Sequence, residues 1–383
     1  MTPYSSLYFF VIMGVLLLPV AVLGLRGKRN NYYNMAVTVV LLVLIFSDDF
    51  QHLYAFIGYL VWQILLFQVY FRYRKVKNQA FIFTIFMLLA LLPLLLDKIL
   101  PFFHSNSLIG FLGISYITFK SLQMIMDTRD GTIKELSIKD QIAFLVFFPT
   151  ISSGPIDRYK RFTKDCKNVP PKEEYKELLH DGIHQVFIGL LYKFIIGHLI
   201  FTHVISTPYI QYKHLRTDFI YMYAYSLYLF FDFAGYSAFA IGISKIMGVK
   251  TPENFNLPFI SRNIKDFWNR WHMTLSFWFR DYVYMRFVMW MTKKKWIKNR
   301  YTISYLGFTL LFLLMGIWHG LELHYIVYGL YHAFLIISFD LFERKNKKYR
   351  FWKKNKFTHA MAVIITFNAV CFGLLIFSGR LFI

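Results

Sequence analysis

Long apolar runs decide what this chain can be. Leu7–Leu25, Met35–Phe46, Phe81–Leu96, Ile183–Ile205, Tyr221–Met247, Leu306–Ile317 and Ala360–Phe377 are wholly or nearly long enough to cross a bilayer, which takes about 20 residues. The chain is 57% hydrophobic and 20% aromatic, with a mean hydropathy of +0.43. A water-soluble domain is not that apolar. No polar stretch is long enough to bury a core of its own. The expectation is therefore an all-α polytopic membrane protein, with residues 1–383 forming a single integral membrane domain. The stretch ahead of the first run, MTPYSS, carries no Lys or Arg, and the basic residues follow at Arg26, Lys28 and Arg29. That order suits a retained helix with its N-terminus outside rather than a cleaved signal.

The charge balance supports the same picture. The formal net charge is +22, from 43 Lys+Arg against 21 Asp+Glu. In a soluble protein this excess would suggest nucleic acid. Here it lies in short clusters between apolar runs, where it sets orientation and meets anionic lipid, so nucleic acid is not an expected partner. RGKRN (26–30) and RYRKVKNQ (72–79) place their loops in the cytoplasm, and SDDF (47–50) and PFFHSNS (101–107) belong outside. KELSIKD (134–140) brings the chain back in. QIAFLVFFPTISSGPIDRYKRF (141–162) then breaks the alternation, because both flanks are basic and Pro149, Gly154 and Pro155 interrupt it. A re-entrant or broken element is expected there. Irregular backbone at membrane depth is tolerated where protein covers it or it lines a watery cavity. A polar loop and helix over 163–181 lead into a pair of spanning helices at 183–206 and 218–247.

The least membrane-like stretch is RNIKDFWNRWHMTLSFWFRDYVY (262–284), with six formal charges, three tryptophans and one histidine. A charge at a helix centre costs roughly 2.5–3.5 kcal/mol on insertion scales. Helical spacing would set Arg262, Asp266 and Arg270 in an i, i+4, i+8 stripe that offsets part of this cost. On a helix His272 would share a face with Trp268 and Ser276. An interfacial aromatic belt with ion pairs is the competing reading. The second chemical candidate is MGIWHGLELHYIVYGLYHA (315–333). His319 stands between Trp318 and Gly320, and Gly316 and Gly320 would admit another backbone closely. An ionisable group in such a setting is a functional hypothesis. Imidazole, with a reference pKa of about 6.5, suits a general base for acyl transfer at neutral pH. A histidine satisfied by neighbouring backbone is the alternative.

Other candidates carry less. His180 and His184 have i, i+4 spacing for a metal, but Glu173, Glu174 and Glu177 read as a solvated helix face, so no metal site is expected. His324 and His332 read as satisfied polar groups near helix ends. Cys166 and Cys371 form neither a disulfide framework nor a CxxC pair. There is no GxSxG elbow, Walker loop, GxGxxG or kinase signature. In MRFVMWMTKKKWIKNR (285–300), Met285, Val288, Met289 and Trp296 fall close to one helical face, with Lys293, Lys294 and Lys295 at its end. This is an interfacial helix, or a docking surface for a partner.

Four segments in order resemble the membrane-bound O-acyltransferase family: FFPTISSGPIDRYKRF (147–162), YLFFDFAGYSAFAIG (228–242), the 262–284 stretch and GIWHGLELHYIVYGLYHA (316–333). The resemblance implies about 10–11 transmembrane helices with re-entrant or broken helices around a central funnel or tunnel. It also implies His319 as catalytic histidine with His272 as its partner. Asp232, Arg270 and Ser276 become candidates for a substrate path, and Met285, Val288 and Met289 for carrier docking. Within the family the short chain and the LELHYIVYGLYHA run are most similar to the membrane subunits of teichoic acid D-alanylation. Alginate-type O-acetyltransferases usually carry an Asp-Met pair after GYS, where this chain has Ala238 and Phe239. The D-alanylation branch implies that D-alanine arrives as a phosphopantetheine thioester on an acidic carrier protein and moves across the membrane toward teichoic acid hydroxyls. No cofactor is then permanently bound, and other pathway membrane proteins, anionic lipid and teichoic acid are partners. It further implies a Gram-positive cell membrane. An alginate-type acetyltransferase, a transporter or flippase, and a non-catalytic scaffold are the rival readings.

Overall fold

The computed structural model describes residues 4, 6–47, 49–103, 110–353 and 355–382. Asp48 and residues 104–109, parts of the two turns expected outside, lie beyond that description. Every regular element among the described residues is helical. Among the described residues, eight helices are long and apolar enough to cross a membrane. The chain forms two compact units, Met1–Gly189 with Gly235–Pro252, and Leu190–Ala234 with Glu253–Ile383.

The first unit opens with α1 (Leu7–Leu25), α2 (Asn31–Phe46), α3 (Phe50–Val76) and α4 (Ala80–Ile99). Their starts follow from short polar side chains. Ser6, Asn30 and Asp49 each accept hydrogen bonds from backbone N–H groups of the turn they open, which satisfies donors a helix leaves unpaired. Helix α2 is apolar but has only 16 residues, and α5 (Ile114–Arg129) is equally short. Among the described residues the eight spans, with α2 as a shorter apolar helix, fall below the expected 10–11. Helix α3 was not singled out by apolar runs, because Gln51, His52, Gln63 and Gln68 interrupt it. Gln63 is buried and donates to the Ala90 carbonyl at 2.8 Å.

The break expected within 141–162 is present. Helix α6 (Ile138–Val146) ends at a single 3₁₀ turn, Phe148–Thr150, and helix resumes only at α7 (Tyr159–Lys167). Protein covers the irregular backbone between them. Lys120 of α5 is fully buried and donates to the Phe144 carbonyl at 3.0 Å and to Thr150 Oγ1 at 3.0 Å. Gln123, one turn on, donates to the Asp157 carbonyl at 2.8 Å. The Asp157 carboxylate accepts from the Arg158 backbone N–H and from Arg161. A broken chain at depth thus has its carbonyls met by side chains of a neighbouring helix.

The polar helix expected over 163–181 and the span expected at 183 are one rod. Helix α8 (Lys172–Leu190) continues through π-helical turns at Leu191–Gly197 and Phe201–Ile205. Helix α9 runs over Leu215–Ile246. The close pair Gly182 and Gly242 explains how α8 and α9 approach within the first unit. A Cβ on Gly182 would sit 2.8 Å from the Gly242 carbonyl oxygen.

In the second unit the stretch 262–284 is not one helix. It holds α10 (Ile264–Trp268) and α11 (Met273–Phe279), followed by a π-helical turn, Arg280–Tyr284, that leads into α12 (Met285–Lys294). The expected continuous stripe of three charges is corrected accordingly. Asp266 pairs with Arg270 at 2.8 Å, but Arg262 reaches Asp266 through its backbone N–H at 3.2 Å. The physical reason is competition from the loop before it. Asn256 N–H donates to the Arg270 carbonyl and Met273 N–H donates to the Asn254 carbonyl, each at 2.9 Å. Those bonds take the backbone out of helical register at His272. Helices α13 (Arg300–His319), α14 (Leu323–Tyr349) and α15 (Lys356–Phe377) complete the unit. Helices α13 and α14 touch backbone to backbone at Gly316 and Gly329. A Cβ on Gly316 would strike the Tyr325 carbonyl, and one on Gly329 would strike that of Phe312. Gly316 makes the expected close approach, whereas Gly320 is the extended cap that ends α13.

Candidate functional site

A cavity of about 100 Å³ lies inside the second unit. It is lined by Leu229 and Phe233 of α9, Trp268, Trp271, His272 and Leu275 around the α10–α11 turn, Met315 and His319 of α13, Tyr328 of α14, and Leu374 and Phe377 of α15. His272 and His319, 47 residues apart in sequence (319 − 272), therefore face the same cavity.

Each histidine is set by its own local structure. His319 is the last residue of α13, released from helix by Gly320. Its ring is held among aromatic rings, with centroids 4.5 Å from Trp318, 4.8 Å from Phe377 and 6.0 Å from Tyr325. His272 has a left-handed backbone, φ 42°. That region is uncommon for a residue with a side chain, and the two backbone bonds to 254 and 256 hold it there. Its carbonyl accepts from Ser276 N–H at 3.0 Å. The side chain is 4% exposed, with its ring 4.7 Å from Phe233. Burial pulls its pKa from the usual imidazole range down to about 3, so the ring is neutral at physiological pH. Trp271 beside it is packed by Phe255 at 5.2 Å and by Phe267, stacked at 5.5 Å. The lining is apolar apart from the two imidazoles, the Tyr328 hydroxyl and the indole N–H groups. In so apolar a lining, polar interactions are stronger than in water.

Not every candidate joins this cavity. Arg270 points to Asp266 and to the Asn256 carbonyl, and Ser276 Oγ donates to the Trp271 carbonyl at 3.2 Å. Both brace the turn that carries His272. Asp232 is next to the lining residue Phe233 but pairs with Lys193. Of the docking candidates, Met285 and Met289 are exposed, while Val288 packs against α13, its methyl 3.2 Å from where a Cβ on Gly307 would lie. His180 and His184 are exposed. Among the described residues no group of three or more His, Cys, Asp or Glu could hold a metal ion. His332 corrects an expectation. It is in the interior of α14, fully buried, with neither ring nitrogen hydrogen-bonded to protein. Tyr328, Leu229, Phe233, Leu374 and Phe377 were not singled out. Leu229 and Phe233 share an i, i+4 face of a family-like segment. Leu374 and Phe377 look in sequence like any other residues of an apolar helix.

Comparison with known proteins accounts for this arrangement. The model of the membrane-bound O-acyltransferase family (MBOAT) matches residues 32–379. A teichoic acid D-alanyltransferase of Bacillus subtilis (strain 168) is 55% identical over 391 residues, covering 100% of this chain and 99% of that protein. One from Lacticaseibacillus rhamnosus is 46% identical, covering 99% of this chain and 97% of that protein. A probable alginate O-acetylase AlgI of Pseudomonas putida is 32% identical over 234 residues, which cover 61% of this chain and 46% of that protein. With a family match spanning nearly the whole chain, and both histidines facing one cavity in a multi-pass helical frame, this protein belongs to the membrane-bound O-acyltransferase family and is an O-acyltransferase.

Proposed function

We propose that this chain is the membrane acyltransferase of teichoic acid D-alanylation, multi-pass in the cell membrane with its N-terminus outside. The observation that carries the reading is the 55% identity across the whole chain to a teichoic acid D-alanyltransferase. The O-acetylase alternative draws on a shorter and weaker likeness. D-alanine arrives as a phosphopantetheine thioester on an acidic carrier protein. His319 takes the proton of the acceptor hydroxyl as that oxygen attacks the thioester carbonyl. The C–O bond forms, the C–S bond breaks, and the proton passes to the departing thiolate. A positioned general base contributes on the order of 10²–10⁴ in rate. His272 stays neutral and orients acceptor or donor. The apolar lining disfavours hydrolysis of the activated acyl group. Teichoic acid is the final acceptor, other membrane proteins of the pathway assist, and no resident cofactor takes part.

The test uses purified protein in vesicles with pathway partners, teichoic acid and carrier loaded with labelled D-alanine. Label should leave the carrier and appear in base-labile ester on the acceptor. Carrier loaded with labelled acetate should not serve. Transfer of acetate but not D-alanine would replace this reading with the O-acetylase one.

A further inference from the structure

Behind the cavity wall lies a polar cluster that the acyl-transfer roles above leave unused. His332 is 0% exposed and Trp268 is 7% exposed. Among the described residues, no donor or acceptor meets Nδ1 or Nε2 of His332, nor Nε1 of Trp268. The two rings meet edge to face, centroids 5.0 Å apart at 80°. Tyr328 packs on His332 at 4.6 Å, and Phe312 lies at 6.1 Å. On the fourth side a Cβ at Gly373 would stand 2.7 Å from Nε2, so only glycine leaves room for that nitrogen. Trp268 and Tyr328, which flank His332, both line the cavity with His272 and His319.

A packing role does not explain an imidazole here. Phenylalanine would fill the same space without burying two polar nitrogens, each of which costs free energy when unpaired. A hydroxyl group would meet two of the three unpartnered atoms. Its oxygen accepts from the indole N–H of Trp268, and its proton is donated to the unprotonated ring nitrogen of His332. Water and the alcohol of an acceptor share this chemistry.

We propose that His332 is a positioning residue of the acyl-transfer site, binding a hydroxyl against the Trp268 N–H at the cavity wall formed by Trp268 and Tyr328. The proposal rests on the acyl-transfer reading for its effect on rate, but not for its effect on Trp268.

His332→Phe and His332→Gln test it together in the full-length protein. The phenylalanine variant keeps the ring packing and should melt at or above the wild-type temperature, yet transfer more slowly by about tenfold to a hundredfold. The glutamine variant retains a donor and an acceptor, and should recover most of that loss. A raised KM for acceptor identifies the acceptor's alcohol as the bound hydroxyl. A lowered kcat at unchanged KM identifies water. The indole N–H resonance of ¹⁵N-labelled Trp268, assigned with Trp268→Phe, should shift in His332→Phe because the hydroxyl that accepts from it is no longer held by His332. That shift is read without any transfer assay, so it stands even if D-alanine proves to be the wrong donor. A phenylalanine variant with wild-type rate, or an unmoved Trp268 resonance, overturns the proposal. Should neither His332 variant fold, Trp268→Phe alone must slow transfer, and full activity in it overturns the proposal equally.

Discussion

His319 and His272 reach one cavity from opposite kinds of backbone, a helix terminus and a left-handed turn. This difference matters for their chemistry. His272 is enclosed, and burial holds its pKa near 3, which favours the neutral ring between pH 5 and 8. An acid limb of the transfer rate in that range is then expected to come from another group. His272→Gln should lower the plateau rate while leaving the midpoint of the acid limb within about half a pH unit of wild type. A larger displacement, seen in rates measured from pH 5 to 8, would assign that limb to His272 and reverse its role. Both histidines were legible in sequence because polar residues stand out in apolar surroundings. Arg270 and Ser276 stood out for the same reason but brace the turn instead. Residue type marks an unusual position without telling which way its side chain faces. His332 was misjudged because nothing in YGLYHA distinguishes a satisfied histidine from a buried one without a partner.

Among the elements, most of the spans, though not α3, and the break after α6 were readable from apolar length and from Pro149, Gly154 and Pro155. The split of 262–284 into α10 and α11 was not, since the spacing of Arg262, Asp266 and Arg270 is as good as any helix. What overrides it is a tertiary effect, the pairing of 254 and 256 with the backbone of 273 and 270. Two devices hold these elements, and each makes a prediction. The α13–α14 contact leaves no space for a methyl group at Gly329, where it would press on a backbone carbonyl that cannot swing away. Gly329→Ala should cost about 1–3 kcal/mol of stability, the usual range for overpacking. It should also disturb the positions of His319 and Tyr328, so a lowered melting temperature in detergent should come with lowered transfer. An unchanged melting temperature would mean that the two helices can part at no cost. In the first unit Lys120→Met fills the space but removes the donor to Phe144 and Thr150. Depriving the buried Phe144 carbonyl of this donor should destabilise by about 1–3 kcal/mol, and a melting curve equal to wild type would show that the broken element does not depend on Lys120.

At the scale of the whole molecule, the +22 charge and the exposed face of α12 bear on the proposed reception of an acidic carrier. The structure separates two residues that the sequence grouped together. Val288 is packed on α13 at Gly307, so Val288→Asp would damage folding as well as any docking. Met289 is exposed, and Met289→Asp should weaken carrier binding with little change in melting. Replacing Lys293, Lys294 and Lys295 by glutamine should slow association at low salt, with the difference fading near 0.15 M, where the screening length is about 8 Å. Carrier binding that ignores Met289→Asp would move the docking surface to 163–181 or 344–356. Such surface effects would tune delivery, whereas the chemistry is proposed for the cavity pair His272 and His319. The decisive measurement is the single-turnover rate of D-alanyl transfer from loaded carrier by His319→Ala in vesicles, with carrier binding and melting measured on the same preparation. The rate should fall on the order of 10²–10⁴-fold with binding and melting near wild type. A rate within about twofold of wild type, far short of a lost general base, would contradict the assignment.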